Sequence, residues 1–459
     1  MDLLIRGGTL VTADGRSRTA VGINNGQIVQ IGGTMSAARE IDATGHFITP
    51  GGVDPHVHLT VLPHLINRVR WADDFESGTR AALAGGITTV GNMSYSERDE
   101  TMVDGIARDA AEASELSLAD YFFHPVLSYP SEENLATIAA LHAEGHTSVK
   151  IFLLGSFDRH VPEFLEAMRI VKTAGGIALM HCEDQATMDH CSAQLRQAGK
   201  LEARYFAESR PVQAEAVSTY RAVGFAETTG CPSYIVHLSN ARALAACLDA
   251  RNRGVRVYVE TRPLYLHLTE ERHQEDHGAK YAAAPPLRGQ SDVNALWAAL
   301  AGGNIDTLAT DHAPWTLAQK LDPERDATNL RAGVADLETS LPMLYSAGVL
   351  QGRISLEQFV AVTSTNPAKL FGLYPKKGSI DVGCDADLVV WDEQETRTID
   401  GASMHSRADY SPYDGVEVTG WPKFTISRGE LVAKGNDVVA KRGRGRLAHR
   451  GPHRADLGI

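Results

Sequence analysis

Cysteine is scarce: five in 459 residues, at positions 182, 191, 231, 247 and 384, odd in number and scattered. That excludes a dense disulfide framework and leads to the expectation of a reducing, cytoplasmic setting. Basic residues are in deficit, 44 against 57 acidic ones, for a net charge of −13. Nucleic acid and anionic membranes are therefore disfavoured as partners. No apolar run approaches the roughly 18 residues of a membrane span. The start, Met1-Asp2-Leu3-Leu4-Ile5-Arg6-Gly7-Gly8, has no basic n-region or apolar h-region, so no signal peptide is expected there. No G-x-G-x-x-G turn follows an apolar run, and no G-x-S-x-G elbow occurs, which removes a dinucleotide fold and a serine nucleophile from the leading readings. The 43% hydrophobic and 22% charged residues are those of an ordinary globular protein with a large core, not of a disordered, collagenous or coiled-coil chain.

What is present is organised in two textures. Residues 1–50 read as short strands joined by glycine turns, with Asn24-Asn25-Gly26 as a hairpin signal between Val21-Gly22-Ile23 and the run beginning at Gln27. The same texture returns in residues 373–437, for example at Asp387-Leu388-Val389-Val390-Trp391 and Lys423-Phe424-Thr425-Ile426-Ser427. Neither end can bury two faces alone, so both are expected to join in one small sheet domain. Residues 51–372 alternate apolar strand candidates with alanine- and leucine-rich helical patterns. The strands begin near Gly52, Gly86, Tyr121, Ser148, Ile177, Tyr234, Val255 and Thr307. Eight strand–helix units point to an α/β protein with a closed (β/α)8 barrel; a doubly wound open sheet is the alternative. The units share no sequence period, which disfavours a solenoid. Residues 438–459 form a basic, weakly apolar arm, read as a solvated tail or one laid on a neighbouring subunit.

Eighteen histidines outnumber the cysteines, and their placement carries chemical information. His56-Val57-His58 follows the first strand candidate, and residues i and i+2 on a strand share a face, so both rings can address one ion. His181 ends the fifth candidate, His237 the sixth and Asp311 the eighth. One histidine after an apolar strand is ordinarily a hydrogen-bonded core residue. Four of them with an aspartate at matching strand ends converge, in a barrel, on the mouth where active sites are built. Imidazole and carboxylate suit zinc and similar divalent ions. Lys150 sits inside the apolar run Val149-Lys150-Ile151-Phe152, where a buried cation beside metal ions is strongly disfavoured. It is either a salt-bridged lysine or one carboxylated by carbon dioxide to an anionic carbamate. Glu260, ending the seventh candidate, is read as a supporting residue, and Cys182 as packing behind His181.

The chain resembles the amidohydrolase superfamily, in its cyclic amidohydrolase branch of hydantoinases, dihydropyrimidinases and allantoinases. The resemblance rests on Pro50-Gly51-Gly52-Val53-Asp54-Pro55-His56-Val57-His58, residues 81–89, Lys280-Tyr281 with Pro285-Pro286-Leu287-Arg288, and Thr365-Asn366-Pro367-Ala368-Lys369-Leu370-Phe371-Gly372. Asp385-Ala386-Asp387-Leu388-Val389 and Ser427-Arg428-Gly429-Glu430-Leu431-Val432 complete it. It implies a barrel beside a β-sandwich built from both chain ends. It implies a site with two divalent ions, most often Zn2+: His56, His58 and Asp311 on one, His181 and His237 on the other, carboxylated Lys150 between them. Asp311 would carry the proton from water to the departing ring nitrogen. The substrate would be a small cyclic amide, a hydantoin, dihydropyrimidine or related ureide ring opened to an N-carbamoyl amino acid. An allantoinase-type activity is the alternative, and a non-catalytic scaffold relative a further one. Such proteins are typically homo-oligomers, tetramers or dimers.

Departures from the family pattern bear on the substrate. Thr60 stands where dihydroorotases carry an arginine for the substrate carboxylate, which disfavours that substrate. Gly155 stands where D-selective hydantoinases and dihydropyrimidinases carry a tyrosine that hydrogen-bonds the ring; allantoinases and L-selective hydantoinases lack it too. Ala284 and Ala332 replace a serine and an asparagine whose backbone groups hold the imide. Leu62, Leu65, Phe152 and Phe157 are candidate pocket walls, or ordinary barrel packing. Tyr95, Ser156 and Arg159 are candidates for the missing hydrogen-bond donor.

Overall fold

The computed structural model describes residues 1–60, 70–97, 100–155 and 157–453. Eight strands pair in sequence order, each parallel to the next: Gly52–Val57, Ile87–Tyr95, Asp120–Val126, Ser148–Phe152, Ile177–His181, Ser233–Ile235, Val257–Thr261 and Thr307–Leu308. A parallel bridge between Val57 and His312 joins first strand to last, where the His58 amide donates to the His312 carbonyl at 2.8 Å. That bridge decides for the barrel over the open sheet. The strands are buried almost throughout, as parallel strands covered on both faces must be.

The two-residue period of a strand sorts the side chains. Val149 and Ile151 face the outer helices, with Ala178, Met180 and Val259. Val53, Met93, Phe122, Ile177, Leu179 and Tyr234 fill the barrel interior. Lys150 and His181 fall on the inward period, with Leu179 opposite Lys150 and His181 opposite Phe152 in the strand register. Helices close the outside; the first, Phe75–Ala84, starts at Asp74, whose carboxylate accepts from the Glu76 and Ser77 amides in a capping box.

The chain ends build two further sheets. Leu3–Arg6, Val21–Asn24, Gln27–Ile31 and Arg39–Asp42 make a four-stranded sheet. Thr9–Thr12, Gly15–Arg18 and Phe47–Pro50 join Leu388–Thr398, Glu417–Ser427, Glu430–Lys434 and Asp437–Val438 in a seven-stranded one. Leu3, Ile5, Val21, Ile23 and Ile28 from the first pack against Leu10, Ile48, Leu388, Val390 and Ile426 from the second. Beneath the barrel, Lys377 Nζ lies 2.6 Å from both Asp120 and Asp387 and 3.0 Å from Asp385, so this carboxylate cluster is an ion-pair hub.

The C-terminal arm corrects the expectation of a free, solvated tail. Its described residues run along the chain's own barrel floor, where Tyr121 exchanges backbone hydrogen bonds with Arg446 (3.0 Å) and Ala448 (2.7 Å). Arg450 is buried and donates to the Phe123 carbonyl (2.7 Å), Ser148 Oγ (2.9 Å) and the Gly145 carbonyl (3.1 Å). Burial holds its guanidinium down to about 9. An arginine is tolerated there because each of its nitrogens finds an acceptor.

Candidate active site

The strand ends bring His56, His58, Lys150, His181, His237 and Asp311 to one mouth of the barrel. His58 Nε2 lies 3.0 Å from Asp311 Oδ1; His56 Nε2 lies 3.2 Å from the same oxygen, without hydrogen-bond geometry. These three residues form a buried group able to hold a metal ion. Beside it, His181 Nδ1 and His237 Nε2 approach to 2.9 Å, and the His56 and His237 rings are 5.5 Å apart. Lys150 is 0% exposed, 5.0 Å from the Phe152 ring centroid, and its Nζ has no hydrogen-bond partner. His237 Nδ1 is likewise buried and unpaired. Buried polar atoms without a partner, beside a cluster of imidazole and carboxylate ligands, fit a site built to hold a further charged group.

The remaining nitrogens are held from behind. Glu260 accepts from His56 Nδ1 at 2.8 Å, from the His237 amide at 2.7 Å and from the Tyr234 hydroxyl at 2.9 Å. Glu183 pairs His181 Nε2 at 2.9 Å and is itself held by Arg210 Nε at 2.9 Å. The Tyr95 hydroxyl lies 3.4 Å from His58 Nδ1. Carboxylates and hydroxyls behind imidazoles set the ring orientation and the tautomer, which metal ligation requires. Two residues of the site adopt left-handed backbone, His237 (φ 38°) and Asp311 (φ 48°), a conformation that is uncommon for non-glycine residues and is held by their surroundings.

Burial dominates the electrostatics. It drives His56 and His237 well below the usual histidine range and lowers His58 and His181, so all four rings are neutral. The neutral imidazole is the ligating form. Burial lowers Lys150 to about 8, against the attraction of Glu260 and Asp311. Asp311 goes the other way: burial opposes its ionisation, yet Arg262, His56 and His58 hold it well below the carboxylate range.

A profile of the amidohydrolase family matches residues 47–432. The chain belongs to the amidohydrolase family. This amidohydrolase is 36% identical over 447 residues to a D-hydantoinase of Ralstonia pickettii, a match covering 96% of this chain and 97% of the other. Its fold is similar to that of a D-hydantoinase (dihydropyrimidinase) from Thermus sp., with TM-score 0.93 and 35% identity over 98% of this chain and 99% of that one. An L-hydantoinase (dihydropyrimidinase) from Arthrobacter aurescens gives TM-score 0.90 and 31% identity over 98% and 100%.

The candidate substrate contacts of this amidohydrolase divide. Phe152 lies at the mouth, 5.1 Å from the His181 ring and 6.3 Å from the Tyr95 ring. Gly155 is exposed on the following loop with φ 66°, its amide donating to Gln185 Oε1 at 3.2 Å. Phe157 takes the packing alternative: it turns into the outer layer against Phe164 (4.8 Å) and Phe225 (5.9 Å), on the short helical turn Phe157–Arg159. Arg159 is exposed on that same turn. Ala284 is half-buried, and the Ala332 carbonyl accepts from Trp315 Nε1 at 2.8 Å. Leu62, Leu65 and Ser156 lie outside the described residues.

Sequence reading missed three residues here. Trp71 packs 5.5 Å from His58 and 4.6 Å from Trp315. Glu183, two residues past His181, was in plain view but has no local signal. Arg262 had one: a charged residue two positions after Glu260, at the end of an apolar strand.

Proposed function

We propose that this chain is a binuclear metal-dependent hydrolase that opens the ring amide of a hydantoin- or dihydropyrimidine-type ureide to an N-carbamoyl amino acid. The observation that carries this reading is the buried convergence of neutral His56, His58, His181 and His237 with ionised Asp311 around the unpartnered Lys150 amine. The hydantoinase relatives supply the substrate class. His56, His58 and Asp311 would hold one ion and His181 and His237 the other, with zinc the expected metal for this donor set. When bound, the ions supply Lewis acidity, lowering the pKa of water toward neutrality and polarising the amide carbonyl.

The chain's own residues do the rest. Lys150, lowered to about 8 by burial, holds far more free amine near neutral pH than an ordinary lysine. Its amine nitrogen adds to carbon dioxide and loses a proton, leaving a carbamate whose single negative charge is shared by two oxygens, in place of a buried cation. Asp311 accepts the proton of the attacking water at its carboxylate and returns it to the departing ring nitrogen. Glu260 and Glu183 keep the imidazoles turned toward the ions. Every candidate ligand position is filled, which weighs against a non-catalytic scaffold. A homo-oligomeric state and a cytoplasmic setting belong to the same reading; size-exclusion chromatography addresses the first.

The test joins elemental analysis to a screen of cyclic ureides. The wild type should carry about two divalent ions per chain and hydrolyse at least one ring. Lys150→Ala should lose metal and nearly all turnover, since the two cations would then face each other without a shared anion. Full metal content with normal activity in that variant would overturn the assignment.

A further inference from the structure

Arg262 follows the seventh barrel strand and is 0% exposed. Its Nη1 donates to Asp311 Oδ2 at 2.8 Å. Its Nη2 reaches the main-chain carbonyl of Asp311 at 3.5 Å and Asp336 Oδ2 at 3.3 Å. The guanidinium also lies 5.6 Å from the Tyr265 ring centroid. The other oxygen of Asp311, Oδ1, is the one near His58 and His56. One planar cation thus holds the outer oxygen and the backbone of a residue whose left-handed φ of 48° needs support.

We propose that Arg262 is a positioning residue for Asp311: it fixes the carboxylate plane so that Oδ1 alone is presented to the metal-ligating histidines and the reacting water. The physical ground is the rotational freedom of aspartate. Its terminal torsion is broad and roughly two-fold, so a carboxylate held at one oxygen can still swing. The rigid guanidinium fork removes that freedom by reaching both the side chain and the main chain of one residue. A lysine ammonium is a point charge on a flexible stem and cannot span Asp311 Oδ2, the Asp311 carbonyl and Asp336 together. Asp336 gives the buried cation a second anion, so Arg262 remains charged without drawing Asp311 off the histidines.

This inference rests on the proposed metal-dependent hydrolysis, and its test carries a readout that does not. Full-length wild type, Arg262→Gln and Arg262→Lys are loaded with cobalt(II), whose visible bands report ligand geometry. Metal content, visible spectrum, kcat and KM are then measured. Both variants should retain cobalt stoichiometry but show altered band shape, with kcat down at least 30-fold and KM within threefold. Lysine should restore little, because charge alone is not what positions the carboxylate. If Arg262→Gln fails to fold, Arg262→Lys, which keeps the buried charge, decides alone.

A fully loaded variant with the wild-type spectrum and kcat within threefold would overturn the role. So would a rate loss matching cobalt loss one for one, with the remaining loaded sites behaving as wild type. A wild type that binds cobalt but hydrolyses no ureide ring would sink the proposed function instead, and the spectra would still decide the placement of Asp311.

Discussion

Asp311 has one oxygen on two imidazoles and the other on a guanidinium, so its carboxylate serves several partners at once. Replacing it removes a metal ligand and the proton carrier together. Asp311→Ala should therefore slow turnover far more than tenfold, which corresponds to about 1.4 kcal/mol in barrier. A rate within tenfold of wild type, measured on metal-replete protein, would rule out the proton-carrying role. The role proposed for Gly155 rests on what it lacks. Its φ of 66° and the open space where a Cβ would sit leave no side-chain donor at that point of the rim. Loss of an oxyanion donor typically costs 10²–10³ in turnover. Across the mouth, burial and the Asp311 charge keep Tyr95 protonated, with its hydroxyl 3.4 Å from His58 Nδ1. A ring that places a bulky substituent over Gly155 should turn over best. Comparing kcat/KM for dihydrouracil, allantoin and both enantiomers of an aryl-substituted hydantoin checks this. Dihydrouracil leading by a wide margin would remove Gly155 as the specificity determinant.

Among the elements, the C-terminal arm is tied to the barrel through one buried arginine. Arg450 is linked through Ser148 Oγ to His124 Nδ1 (2.6 Å), and His124 Nε2 to the Pro55 carbonyl (2.9 Å), next to His56. The arm thus closes the floor of the barrel and joins a buried polar chain to the first strand. Arg450→Ala would leave the Phe123 and Gly145 carbonyls and Ser148 Oγ without their donor. Buried groups stripped of a partner cost about 1–3 kcal/mol each, so urea unfolding should show a loss of at least ~2 kcal/mol. An unchanged midpoint would mean that water replaces the guanidinium at no cost. Strand-level reading identified all eight barrel strands, since each is a short apolar run bounded by helix patterns. It could not say that residues 446–448 lie beside Tyr121, because that pairing spans more than 300 positions and leaves no local trace.

For the molecule as a whole, one buried acid makes a distinct contribution to the pH response. Asp109 is buried behind the second barrel strand, and burial pushes its carboxyl up to about 7, against hydrogen bonding from Ser94 and the charge of Arg108. The unfolded chain releases this proton near pH 4. Between about 4 and 7 the folded state therefore binds the extra proton, and stability falls as pH rises through that window. Asp109→Asn removes the titration while keeping an acceptor for Ser94. The variant's Tm should decline less than that of wild type between pH 4 and 7. Parallel Tm curves would show that Asp109 ionises like an exposed acid.

Read alone, the sequence determined the α/β alternation, the apolar strands and the polar residues that end them: His56, His58, His181, His237 and Asp311, with Lys150 conspicuous inside its strand. These are legible because strand period and the contrast between charge and an apolar run are local properties. Tertiary structure alone decided that the sheet closes through Val57 and His312, which strands of the two chain ends pair with which, and that Phe157 packs in the outer layer. It alone placed Arg262 on Asp311, Glu260 on His56 and the arm against its own barrel. The reason is physical: each of these is a contact between segments distant in sequence, selected by which buried charges and backbone groups must find partners once the core has closed.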